Sequence, residues 1–179
     1  MIYMSDRFIF LDRDGTLIKD IHYLHNPADI EFLPYAIEGL LQLQAMCYRF
    51  IVVTNQAGIA RGYYTLEQAH AVNTAVAQQL QAHGIVTEKS YLCPHHPEFT
   101  GPCQCRKPEI GLVTEAAREF HIDLQASIFI GDKDSDTQLG KNCGGTTFLV
   151  KNNQYTTVVP ADFSVLHLQE VADILQQKS

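Results

Sequence analysis

The chain has no excess of positive charge, no long apolar run, no internal repeat, no low-complexity tract and no recognisable linker. Thirteen Lys and Arg stand against twenty Asp and Glu, a formal net charge of −7. No global field would hold such a molecule on nucleic acid or on an anionic membrane, so any anionic ligand has to be caught by a local group of cations. No apolar stretch approaches the roughly 18 residues of a membrane span. The opening MIYMSDRFIFLDRD has neither the basic region nor the small-residue cleavage site of a secretory signal. These absences make a cytoplasmic protein the expectation, with no membrane or nucleic-acid partner. No coiled coil or long apolar edge demands a second subunit, so a monomer is expected. Disulfides are disfavoured as well, because the five cysteines are an odd number and clustered thiols in a reducing compartment more often hold metal. Cys47 and Cys143, outside the cluster, are expected to be buried thiols.

What is present suits one well-buried core: 179 residues, 46% hydrophobic. A single domain over residues 1–179 is expected, with the cysteine-bearing loop 93–105 inserted in it. Short runs rich in β-branched and aromatic residues, Arg7–Leu11, Phe50–Thr54, Lys89–Leu92, Ser127–Ile130 and Thr146–Val150, read as buried parallel strands. Amphipathic stretches alternate with them. Thr65 and Gln68 form a capping box ahead of Ala69, Val72, Val76 and Leu80, which recur on one helical face until about Gly84. Shorter helices are expected over Leu112–Phe120, Ser135–Asn142 and Leu168–Gln176. This order implies an α/β fold with a doubly wound, Rossmann-like parallel sheet.

In such sheets ligands bind beyond the carboxyl ends of the strands. The first strand runs into FLDRDGTL, which places Asp12 at its end and Asp14 two residues on, so that extended backbone aims both carboxylates the same way. A polar turn with Asp14 as a helix cap would explain that pair equally well by itself. The other strand ends favour chemistry. VVTNQ offers Thr54, FIGDKDSD offers Asp132 and Asp136, and Lys107 follows the cysteine cluster. One Thr, one Lys and three or four Asp around a strand-end crevice describe a Mg²⁺-dependent phosphoryl-transfer site.

These four motifs, in this order, resemble the haloacid dehalogenase superfamily of phosphohydrolases: DRDGT at 12–16, Thr54, Lys107, and GDxxxD at 131–136. The resemblance covers nearly the whole chain. It implies that Asp12 is the nucleophile that forms an aspartyl phosphate and Asp14 the general acid and base, with Thr54 and Lys107 stabilising charge on the transferring oxygens. It implies Mg²⁺ held by the Asp12 and Asp132 carboxylates and the Asp14 main-chain carbonyl. Asp136 would order a metal-bound water or the Lys107 ammonium, and Lys133 would meet the substrate.

The segment CPHHPEFTGPCQCRK carries two ligand pairs, Cys93 with His95 and Cys103 with Cys105, each spaced two apart with seven residues between the pairs. A closed set of thiolate and imidazole ligands favours tetrahedral Zn²⁺ and leaves no position for a reacting water, so such a zinc would be structural. His96 competes with His95. The matching bite of C-x-H and C-x-C, together with the family's use of that position, favours His95, and the sequence leaves the choice open. Because Arg106 and Lys107 follow Cys105 directly, zinc would fix where both cations point. The superfamily resemblance also implies that this loop stands where larger members carry a cap domain.

Two branches share the loop and motifs: phosphatases of heptose bisphosphates and of histidinol phosphate. TNQAGIARG at 54–62 and DIHYLHNPADIEFLP at 20–34 resemble the heptose branch. That resemblance implies a sugar bisphosphate substrate touched by Arg13, Asp20, Ile21, His22, Tyr23, Asn55, Gln56, Arg61, Arg106 and Lys133. A second phosphate needs its own cation, and a guanidinium can grip it with two parallel hydrogen bonds. Two readings of another class, a zinc knuckle for nucleic acid and a receiver-like phosphorylation switch, are opposed respectively by the acidic charge and by a general base placed beside the nucleophile.

Overall fold

The computed structural model describes residues 7–178. Its first strand, β1 (Arg7–Leu11), shows why the sheet must lie between two layers. Side chains alternate across a strand, yet both faces of this one are apolar: Ile9 and Leu11 enter one core, Phe8 and Phe10 the other. The same division runs through β2 (Tyr48–Asn55), with Phe50 and Val52 on one side and Ile51 and Val53 on the other, and through β4 (Ile128–Gly131), with Ile130 opposed to Phe129. With β3 (Thr87–Cys93), β5 (Thr146–Val150) and β6 (Phe163–Val165) these strands form one parallel sheet in the order β3-β2-β1-β4-β5-β6.

Helices close both faces. α1 (Ala36–Ala45), α3 (Leu66–Ala82) and α7 (Leu168–Gln177) bury Leu40, Val76 and Val171 with their neighbours in the first core. α5 (Gly111–Phe120) and α6 (Asp134–Cys143) bury Val113 and Leu139 in the second. The single turns α2 (Ala57–Ala60) and α4 (Pro97–Thr100) sit in loops. The strand order reverses between β1 and β4, and a crevice opens there outside the carboxyl ends.

The strands read from the sequence lie within one or two residues of those observed, and the Thr65–Gln68 capping box is formed with both of its hydrogen bonds. α6 begins one residue earlier than expected, at Asp134, whose carboxylate is engaged by the backbone of Val158 and Val159. β6 was not expected; it is three residues long, too short to show a period of two. Cys143 is buried as expected, but Cys47 is exposed, because the chain turns there with φ +66 between α1 and β2 and carries the side chain outward. Among the described residues no helix is long and apolar enough to cross a membrane.

Candidate active site

β1 and β4 are each followed directly by an aspartate. Asp12 and Asp132 are 6% and 2% exposed, and with Asp136 on the first turn of α6 they place carboxylate oxygens within 4.8 Å of one another. Crowding three buried acids is electrostatically unfavourable. Burial first, and then the Asp12 charge, push the Asp132 carboxyl up to about 8.

Lys107 answers part of that charge. Its ammonium lies 2.7 Å from Asp12 Oδ1, 2.7 Å from Asp136 Oδ1 and 2.7 Å from the Val53 carbonyl, which occupies all three of its donors. Burial alone would push Lys107 down, but the two carboxylates outweigh it and hold it above its ordinary value. Asn55 fixes the lysine's backbone from both sides, accepting from Lys107 N at 3.0 Å and donating to Lys107 O at 3.2 Å. Asp132 Oδ1 is buried with no protein partner, and Gly15, at φ +85, lets the backbone pass so close that a Cβ there would collide with the Asp132 carboxylate. An orphaned carboxylate oxygen in an oxygen-rich corner is the donor set of a hard divalent cation.

Asp14 follows on the turn. Arg13 donates to it through Nε at 3.2 Å and Nη2 at 2.9 Å, and Gln56 Nε2 donates at 2.9 Å. Gln56 also donates to Thr54 Oγ1 at 2.8 Å, while its own oxygen accepts from Tyr64 at 2.6 Å. The Thr54 oxygen therefore serves as an acceptor toward Gln56, and Thr54 lines a small space that it shares with Asp12 and Lys107.

Comparison with known proteins bears on this constellation. The family described as HAD-hydrolase-like matches residues 104–175. The D-glycero-alpha-D-manno-heptose-1,7-bisphosphate 7-phosphatase of Photorhabdus laumondii is 37% identical over 163 residues, 88% of each chain. The D-glycero-beta-D-manno-heptose-1,7-bisphosphate 7-phosphatase of Pasteurella multocida is 39% identical over 171 residues, 93% of each chain. A crystal structure of the D,D-heptose 1,7-bisphosphate phosphatase of B. bronchiseptica, complexed with magnesium and phosphate, matches with a TM-score of 0.84 at 28% identity, covering 97% of this chain and 99% of that one. The chain belongs to the haloacid dehalogenase-like phosphatases.

Beside the acids this phosphatase has a pocket of about 280 Å³ that reaches from Asp14 and Lys107 to Asp20, Arg106, Lys133 and Tyr155. Of the residues expected at the substrate, Asp20, His22, Tyr23, Asn55, Gln56, Arg106 and Lys133 line it. Three others do not. Arg13 is only 1% exposed, and its guanidinium is divided between Asp14 and Asn73 of α3, 2.8 Å away, so it orients Asp14 from inside the protein. Ile21 points outward, 43% exposed. Arg61 stacks over Phe99 at 4.7 Å and approaches His96, which ties α2 to the cysteine loop.

The loop brings Cys93, Cys103 and Cys105 together as free thiols, with sulfurs 2.9 to 3.7 Å apart. Neither histidine belongs to this group. His96 caps α4 by accepting from Glu98 N, while the His95 carbonyl accepts from Arg106 Nη1 at 3.1 Å. The loop therefore aims Arg106 through a backbone contact as well as through the neighbouring Cys105. Residues that the sequence did not mark include Tyr64, Asn73, Asn152 and Tyr155. Asn152 Nδ2 donates to Asp132 Oδ2 at 2.8 Å. Only their positions after strands or on the buried face of α3 could have signalled them.

Proposed function

We propose that the chain removes the 7-phosphate from D-glycero-D-manno-heptose 1,7-bisphosphate, a step in making heptose precursors of lipopolysaccharide, in the cytoplasm. The observation that carries this reading is the charge layout of one pocket: Lys107 lies deep beside Asp12, Lys133 lines both the space at Asp12 and the wider cavity, and Arg106 stands farther out in that cavity. That layout serves a molecule with one phosphate at the reacting centre and a second at its distal end. The curated relatives named for this substrate support it.

In the reaction, an Asp12 carboxylate oxygen attacks phosphorus as the bond to the sugar C7 oxygen breaks, and Asp14 supplies the proton that the departing oxygen takes up. Lys107 and the Thr54 hydroxyl hold the phosphoryl oxygens in line. A water then attacks the aspartyl phosphate and gives its proton to Asp14, which releases inorganic phosphate and restores both acids. Arg13 and Gln56 keep Asp14 directed at the pocket throughout. Asp12 and Asp132, with the Asp14 main-chain carbonyl, are suited to hold Mg²⁺, which when bound would neutralise charge on the phosphoryl oxygens. Asp136 is better placed to orient Lys107 than to bind the ion itself. Cys93, Cys103 and Cys105 are suited to hold Zn²⁺ with a fourth ligand from His95, whose side chain would have to turn toward the sulfurs.

The test is phosphate release from both anomers of the heptose bisphosphate and from histidinol phosphate, each with Mg²⁺. A kcat/KM at least about tenfold higher for a heptose anomer, equivalent to about 1.4 kcal/mol, is expected. Equal or faster turnover of histidinol phosphate would overturn the substrate assignment and leave the phosphatase chemistry standing.

A further inference from the structure

The segment that leaves β5 enters the catalytic pocket although no motif marks it. Its near end is fixed by Asn152, which donates to Asp132, and its far end by Asp134, which accepts from Val158 N at 3.0 Å and Val159 N at 2.9 Å. Between these anchors Gln154 Nε2 donates to the Asp20 carbonyl at 3.2 Å, and the Tyr155 hydroxyl donates to Asp20 Oδ2 at 2.7 Å. Tyr155 also touches Lys133, whose ammonium lies 4.4 Å from the centre of the phenol ring. Lys133 in turn donates to Asp20 Oδ2 at 3.2 Å.

Asp20 is the hinge of this triad. Its side chain is 8% exposed. Burial pushes its carboxyl up, but the Tyr155 hydroxyl, the Lys133 charge and the His22 N–H together bring it below its ordinary value, so it is ionised. An ionised carboxylate offers about four acceptor positions. Tyr155 and Lys133 occupy Oδ2, and His22 N occupies one side of Oδ1 at 3.0 Å while the His22 ring Nδ1 stays 3.8 Å away, beyond hydrogen-bond distance, which leaves Oδ1 able to receive one further donor from the pocket. Lys133 likewise has donors left for an anion after one is given to Asp20. One aromatic side chain thus steadies an acceptor with its hydroxyl and a cation with its ring face.

We infer that Tyr155 is a positioning residue that sets substrate preference, by holding Asp20 to receive a sugar hydroxyl and Lys133 to meet a phosphate. The inference rests on the sugar-phosphate reading above and goes beyond it by assigning specificity to a side chain outside the four motifs. A polyhydroxylated phosphate long enough to span the pocket gains from the triad. A flat monoester such as p-nitrophenyl phosphate carries no hydroxyl to offer Asp20 and gains little.

The experiment compares kcat and KM of the wild type and Tyr155→Phe on heptose bisphosphate and on p-nitrophenyl phosphate, with melting curves to confirm folding. Removing one hydrogen bond to a charged group should raise KM for the bisphosphate about tenfold, with kcat changed much less. The preference for bisphosphate over p-nitrophenyl phosphate should fall by a similar factor. In a cycle with Asp20→Asn, the double variant should lose little beyond Asp20→Asn alone, because Tyr155 acts through that carboxylate. A preference that stays within about twofold of the wild type, or losses that simply multiply in the double variant, would overturn the role of Tyr155. A wild type that shows no preference for the bisphosphate would instead overturn the substrate reading, and the role of Tyr155 with it.

Discussion

Replacing Lys107 with methionine keeps most of the side-chain volume and removes one buried ammonium, and the structure states what is left behind. Asp12 Oδ1, Asp136 Oδ1 and the Val53 carbonyl each lose a donor at 2.7 Å, in surroundings where the Asp12 and Asp136 side chains are 6% and 7% exposed. Breaking a buried ion pair from one side costs about 3–5 kcal/mol, because the surviving charge stays buried without its partner. The stranded carbonyl adds about 1–3 kcal/mol. At about 2–4 °C per kcal/mol for a chain of this size, melting should fall by about 10 °C or more at neutral pH without added metal. Differential scanning fluorimetry in a chelator-containing buffer reads this directly. The second variant Lys107→Met/Asp136→Asn removes one of the two stranded carboxylates and should recover part of the lost melting temperature, whereas its phosphatase activity should stay at least about a thousandfold down, since the phosphoryl oxygens have lost their cation. A single variant that melts within about 2 °C of the wild type, or a double variant that is no more stable than the single, would refute the reasoning.

Other perturbations have equally definite outcomes. Asp14→Asn should still bind substrate but lose turnover by about a hundredfold or more, because both the departing oxygen and the attacking water lose their proton partner; a kcat within about threefold of the wild type would contradict that role. Cys105→Ala should lower zinc content, melting temperature and substrate affinity together, since the same segment aims Arg106 and Lys107; an unchanged zinc content would exclude Cys105 as a ligand. Gly15→Ala should weaken the response to Mg²⁺ more than it weakens the fold, because the new methyl meets the Asp132 carboxylate; a magnesium titration unchanged from the wild type would contradict that placement. Asp162 accepts from the Thr147 N–H and hydroxyl, both at 2.8 Å, and these bonds hold its carboxyl below the ordinary 3.8. Its contribution is therefore present above that value and lost as pH falls through the lower, folded one, so the melting gap between wild type and Asp162→Asn should close in acid.

How much of this could be read from the sequence follows from where each signal lies. Asp12, Thr54 and Asp132 were legible because each stands at or next to the end of a strand whose apolar residues announce it, and the topology does the gathering; Lys107, in the loop well beyond β3, was legible only because it follows the cysteine segment. The protein partners of Arg13 and Asn55 were not legible. Arg13 turns inward because Asn73, sixty residues further along, offers an acceptor, and Asn55 turns to the Lys107 backbone, fifty-two residues away. No local pattern encodes such pairings. Tyr155 and Asn152 were invisible for a related reason: the segment after β5 has neither helical nor strand period, and its conformation is fixed by contacts with Asp20, Asp132 and Asp134. The cysteine pairs were plain from spacing, but the direction of the His96 ring depends on α4 and Arg61, and spacing does not carry that information.

The central claim is that the Asp12 carboxylate itself takes the phosphoryl group. The most direct measurement is rapid acid quench of enzyme mixed with substrate and Mg²⁺, then borohydride reduction, which converts an aspartyl phosphate to homoserine, and peptide mass spectrometry. Homoserine at position 12, absent in Asp12→Asn, is the predicted result. Turnover at the normal rate with position 12 still aspartate at every quench time, or the modification found on Asp14 or Asp132 instead, would contradict it.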